Sequence, residues 1–228
     1  MSRLSAPDEN ADLLAARDVF VFSQKKRAPG DKLFVYDEAG AVLLFVDHPP
    51  LAKLSAPTTI YTDETRATRL LTLFQSTPSL PGVPVTYLVL DADDEKLATL
   101  RRGHGAFRGT AWRVYDARPG SGEPPPPGDK KAAPILLAEA HEEGHWKKFV
   151  RGLPYVEAVG AGALLKTNFV VTGARPMGKE QAVGRVLGYF VRGFTVVEKF
   201  VLDLRPDARA RVLDRRVALA LALVLEMS

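Results

Sequence analysis

From residue 19 onward the chain repeats one pattern: a short run rich in Val, Leu, Phe and Tyr, a break of turn-forming residues, then a second such run. Leu33-Phe-Val-Tyr-Asp37 and Ala41-Val-Leu-Leu-Phe-Val46 flank Glu-Ala-Gly40, which reads as a hairpin whose glycine supplies the positive φ of the turn. Thr86–Asp91 and Lys96–Leu100 flank the turn Ala92–Glu95 in the same way, and Ala111–Asp116 leads through a long loop to Ile135–Glu139. In each case an Asp closes the incoming strand, where its side chain can accept from the backbone amides of the turn. Asn168–Thr172, Ala182–Tyr189 and Phe194–Leu202 add further strands, with Gly184, Gly188 and Gly193 placed as bulges or bends would be. The unequal spacing describes a meander of hairpins, not a solenoid of fixed period. The count comes to about ten to twelve strands, and so many antiparallel strands in one domain close into a barrel.

The pattern changes at the end. Val217-Ala-Leu-Ala-Leu-Ala-Leu-Val-Leu225 has no polar face. Its small-large alternation would fit a strand, but Ala and Leu are strong helix formers, and a helix that is apolar all round must be buried. The run is far shorter than the roughly 20 residues a bilayer requires, so no transmembrane span is expected. Arg205-Pro206-Asp207 marks a break ahead of it, with Asp207 or Asp214 as the N-cap.

Composition narrows the class. A chain of 228 residues, 46% hydrophobic and 25% charged, has the make-up of an ordinary globular protein. It divides into a polar tail over residues 1–18 and one barrel domain over 19–228, with a Pro-rich loop at 118–134. Pro124–Pro127 raises a polyproline docking segment, but a solvated hairpin loop is the ordinary reading. The absence of cysteine excludes disulfides, thiolate metal sites, thiol catalysis and palmitoylation. Residues 1–18 lack the basic start and apolar stretch of a signal peptide, so a cytoplasmic location is expected. The net charge of +4 is spread along the chain, which permits contact with an anionic surface and predicts no specific nucleic-acid binding.

Several short motifs carry possible chemistry. His141-Glu142-Glu143-Gly144-His145 matches H-E-x-x-H, in which two histidines one helical turn apart bind zinc and the glutamate is general base. That geometry needs a rigid helix, whereas Gly144 lies within the motif and Ile135–Glu139 before it reads as a strand. Gly173-Ala-Arg-Pro-Met-Gly178-Lys179 matches a phosphate-binding loop, but Glu180 stands where Ser or Thr would ligate magnesium, and the sequence beyond reads as strand. A hairpin turn is the better reading. Gly160-Ala-Gly162 lacks the third glycine of a dinucleotide loop. The acidic turn Asp91–Glu95 lacks the spacing and central glycine of an EF-hand, and Trp112 and Trp146 read as core or rim aromatics. No cofactor or metal is predicted. The remaining candidates are basic clusters: Lys25-Lys26-Arg27, Arg101-Arg102 and Lys147-Lys148.

One resemblance organises these elements. Val21-Phe-Ser-Gln-Lys25, Leu33-Phe-Val-Tyr-Asp-Glu-Ala-Gly40, Tyr61-Thr-Asp-Glu-Thr65, Tyr87–Asp91 with Leu97–Arg102, Trp112–Asp116, Phe200–Leu204 and Leu213-Asp214 before the apolar run follow one another. This succession resembles the tubby-like superfamily, in its LURP-one-related and phospholipid scramblase branch, across residues 19–227. The resemblance implies a closed antiparallel barrel of twelve strands threaded by its hydrophobic C-terminal helix. It also implies an association with lipid, since tubby domains bind phosphoinositides through basic residues and scramblases are implicated in calcium-dependent lipid movement. This chain departs from scramblases in lacking the palmitoylated cysteines, the proline-rich amino-terminal arm and a calcium loop. The expected function is therefore a non-enzymatic binding or scaffold module, peripherally associated with anionic membrane lipid through Lys25, Lys26, Arg27, Arg101 and Arg102. The alternative is a zinc-dependent hydrolase using His141, Glu142 and His145.

Overall fold

The computed structural model describes residues 14–25, 32–47, 56–77, 84–104, 110–118, 135–142, 166–174, 185–193 and 199–227. These form β1 (Val19–Lys25), β2 (Lys32–Tyr36), β3 (Val42–Asp47), β4 (Thr58–Tyr61), β5 (Arg69–Gln75) and β6 (Thr86–Asp91). They continue as β7 (Lys96–His104), β8 (Thr110–Asp116), β9 (Leu136–Glu142), β10 (Lys166–Gly173), β11 (Val186–Gly193), β12 (Lys199–Asp203) and the helix α1 (Arg215–Glu226). Every strand pairs antiparallel with its sequence neighbours, and β12 returns to β1 through the register Val19↔Asp203 to Ser23↔Lys199. The twelve-stranded sheet is thus closed, and no edge is left to template pairing with another chain.

A barrel of eight strands is filled by its own side chains, and twelve leave a lumen too wide for that. The helix α1 fills it. Val217 to Leu225 are all buried, around the full circumference of the helix, as an all-apolar surface requires. Inward residues of the wall complete the packing: Phe22 stacks on Phe200 at 4.3 Å, and Phe190 lies 5.1 Å from Phe200 and 6.3 Å from Phe169, a run of aromatics across β1, β12, β11 and β10. Part of the inner wall is built of small residues. Ala98, Ala138 and Ala140 are fully buried on β7 and β9, and the helix backbone approaches β7. Gly188 shows how tight the wall is, because a Cβ there would lie 2.7 Å from the Asp203 carbonyl oxygen and from Leu204 Cδ2.

The two ends of the barrel differ. At the entry mouth lie the turns β2–β3, β4–β5, β6–β7, β8–β9 and β10–β11 and the start of α1; at the exit mouth lie the other connections and the end of α1. The expected Asp closures hold at the entry mouth. Asp37 Oδ1 accepts from Ala41 N at 2.8 Å, Asp91 Oδ1 from Asp93 N and Glu95 N at 2.9 Å, and Asp116 Oδ1 from Arg118 N at 3.1 Å. Gly40 has the positive φ its turn demands, at 82°. Asp214 is the N-cap of α1, accepting from Arg216 N at 2.8 Å, whereas Asp207 is buried in the preceding 3-10 turn.

The bounds of two strands and the place of Leu14 differ from the sequence reading. β11 spans Val186–Gly193 and β12 Lys199–Asp203, each displaced toward the carboxyl terminus, because the register Val191↔Val201 sets the pairing and not the spacing of the glycines. Gly188 lies inside β11, next to a register shift opposite Val171 and Thr172, so one of the three glycines does mark a bulge. Leu14, 1% exposed, also joins the core from within the stretch read as a polar tail.

Candidate functional site

Of the five basic residues singled out, Lys25, Arg101 and Arg102 fall on described strands, and the topology brings all three to the exit mouth. Lys25 ends β1 directly opposite Lys32 of β2, and Arg101 and Arg102 lie in the last part of β7. Lys26, Arg27, Lys147 and Lys148 are outside the described residues, as are Trp146, Gly160 and Gly162. β1 and β7 are six strands apart in the closed order, so Lys25 and the arginine pair share an end of the barrel but stand on opposite sides of it.

Arg101 and Arg102 also diverge from each other. Successive strand residues point to opposite faces. Arg102 has the parity of buried Leu100 and Ala98 and stands opposite core Trp112, so it points inward. Its charge reaches Tyr87, whose hydroxyl is pushed above its ordinary range by burial, with the guanidinium opposing that shift. Arg101 points outward, opposite Thr86 on one side and Arg113 on the other. Arg113 is paired with Glu139 at 3.0 Å, and that hydrogen bond raises its pKa despite burial. Among the described residues the Arg101 guanidinium has no ion-pair or hydrogen-bond partner.

At the entry mouth several charges are bound into pairs, while exposed Arg209 and Arg211 have no ion pair among the described residues. Arg215, 5% exposed, bridges Asp18 at 2.5 Å and buried Asp207 at 2.9 Å, joining the approach to β1 to the start of α1. Arg205 pairs with Asp203, Arg118 with Asp116, Arg216 with Asp214, and Arg17 with Asp37. A hollow of about 210 Å³ opens beside them, lined by Leu14, Arg211, Asp214 and Arg216 among others. Within that lining the Asp214 carboxylate accepts from the Arg216 amide as the N-cap of α1.

The other motifs resolve as follows. His141 and Glu142 end β9, where His141 faces outward opposite Ala111 and Val170, and the second histidine of the motif, His145, is outside the described residues. On a strand, residues four apart are separated by about 13 Å, against one helical turn of about 5.4 Å in a metal-binding helix. Gly173 closes β10 and donates to the Arg185 carbonyl, and β10 pairs antiparallel with β11, while residues 175–179 of the motif are outside the described residues. In the acidic turn Asp91 binds turn amides and Asp94 pairs with Arg69 at 2.9 Å, so two of its carboxylates serve the fold. Among the described residues no group of three or more His, Asp or Glu is disposed to hold a metal ion. Trp112 is core, at 2% exposure.

One feature of the exit side has no signature along the chain. Phe74 on β5 is 43% exposed and stands opposite half-buried Leu88 of β6. Two other outward phenylalanines, Phe34 and Phe45, are buried: their rings lie 5.6 Å apart, and the β4–β5 turn reaches over Phe45, with Arg66 5.7 Å from its ring and paired to Asp47, and Glu64 paired to Lys32. Only cross-strand register reveals the contrast.

No protein-family model matches the chain, and no curated protein sequence matches it. Among solved structures it is similar to the X-ray structure of a protein from Arabidopsis thaliana, at 12% identity and a TM-score of 0.31, covering 92% of this chain and 90% of that one. Similarity at that level carries no argument, and the architecture rests on the strand registers of this protein. No helix among the described residues is long and apolar enough to cross a membrane.

Proposed function

We propose that the protein is a non-enzymatic binding module of the tubby-like kind, which associates peripherally with anionic lipid headgroups through Lys25, Lys26, Arg27, Arg101 and Arg102. The observation that carries this reading is Arg101, which points outward toward the exit end without a counter-ion among the described residues. The neighbouring Arg113 is balanced by Glu139, and β1 brings Lys25 to the same end of the barrel. The filled lumen supports the same reading, because α1 occupies the space in which a barrel would enclose a substrate.

Basic residues near an anionic surface contribute about 1 kcal/mol each, so a few that reach the surface give weak, salt-sensitive association. Flotation with phosphatidylserine or phosphoinositide liposomes is the test. The expected result is recruitment at low salt that weakens as salt rises. No recruitment at low salt, or recruitment unchanged when all five residues become Ala, would remove this function.

A further inference from the structure

The outer wall over β5–β8 carries two adjacent rows of side chains. Cross-strand register aligns Phe74, Leu88, Thr99 and Tyr115 in one row, and Thr86, Arg101, Arg113 and Glu139 in the next, one pleat repeat nearer the exit rim. The first row is mainly apolar and aromatic, and Phe74 in it is 43% exposed. The second is cationic: Glu139 balances Arg113, which leaves the Arg101 charge uncompensated among the described residues. Phe74 and Arg101 lie two strands and one pleat repeat apart, about 12 Å between Cα atoms, so one flat surface can touch both.

We infer that this wall is the membrane-contact face, and that the barrel docks on its side with Phe74 and Leu88 entering the interfacial region of an anionic bilayer while Arg101 meets the headgroups. An aromatic ring beside an unbalanced guanidinium matches the boundary between acyl chains and phosphates, where aromatics and snorkelling cations are favoured. The contrast with the buried Phe34 and Phe45 supports this, since those two outward rings pack on each other and the β4–β5 turn reaches over Phe45, whereas Phe74 is left open. The inference rests on the lipid-binding reading above and narrows it. Arg101 becomes the contacting member of the basic set, because Arg102 points inward and Lys25 lies across the barrel.

The test uses the full chain with phosphatidylcholine vesicles, with and without phosphatidylserine. In a Phe74→Trp variant, indole emission should shift to the blue on serine-containing vesicles and be quenched by brominated acyl chains beyond what the parent shows with Trp112 and Trp146. Phe74→Ala should weaken partitioning roughly fivefold at low and high salt alike, since it removes apolar burial. Arg101→Ala should weaken it at low salt alone, and Arg209→Ala, an exposed position at the entry mouth, should leave it unchanged. Vesicle binding in which the introduced indole stays unquenched and Phe74→Ala partitions as well as the parent would overturn side-on docking while leaving the lipid-binding reading in place. Absence of binding by the parent protein to every vesicle would overturn both.

Discussion

Asp207 has no exposed surface, yet its carboxylate is fully engaged: Oδ1 accepts from Val212 N at 2.9 Å, and Oδ2 from Leu213 N at 3.1 Å and Arg215 Nη1 at 2.9 Å. It therefore ties the 3-10 turn after β12 to the first turn of α1. Asp207→Ala would leave Arg215 buried with half its counter-charge and two amides unsatisfied, and the expected cost is about 3–5 kcal/mol in urea unfolding. Asp116 and Asp214 respond to pH instead. The Arg118 hydrogen bond holds Asp116 below the ordinary carboxylate range against a smaller upward push from burial. Burial pushes Asp214 up, but the hydrogen bonds and charge of Arg216, with Arg118 beyond, together outweigh it and hold it low. A depressed carboxylate contributes stability that is complete above its unfolded pKa, about 3.9, and is lost as pH falls through the folded value. Unfolding midpoints should accordingly be flat near neutrality and fall below about pH 4. An Asp116→Asn/Asp214→Asn double variant should be less stable at neutral pH and lose less on acidification; an acid slope equal to that of the parent would refute the assignment.

Among the elements, α1 was the most legible and the cross-strand surface the least. Leu221 is 1% exposed in the middle of α1, and Leu221→Ala should cost about 2–5 kcal/mol, because barrel walls cannot collapse onto the space left behind. Thermal or urea unfolding would check it, and a loss below about 1 kcal/mol, read against the same range, would mean the helix is loosely held. The all-apolar run signalled burial directly, and Gly40, Asp37, Asp91 and Asp116 marked hairpins because turn chemistry is local. The bounds of β11 and β12 were not legible, since long-range pairing such as Val191↔Val201 overrode the glycine pattern. The candidate site was legible only as basic residue types. That Arg101 and Arg102 part to opposite faces follows from their lying on one strand, but the meeting of Phe74, Leu88 and Arg101 depends on three-strand register, which no local signal encodes.

At the scale of the whole molecule, one chain segment provides the centre of a closed wall. The Arg192–Glu226 pair at 2.7 Å holds α1 at the exit mouth, and the Asp18–Arg215–Asp207 network holds it at the entry mouth. With the lumen filled by the protein itself, the surfaces left for binding are the mouths and the outer wall, which is where the uncompensated Arg101 and exposed Phe74 lie. The central claim is that α1 is the core of the barrel and not an appendage to it. Native-state hydrogen exchange resolved to single amides tests this most directly. The amides of Leu219 to Leu225 should exchange only through global unfolding, with the same free energy and denaturant dependence as the most protected amides of β1, β11 and β12. Exchange of those helix amides through a smaller opening, while the strands stay protected, would contradict it.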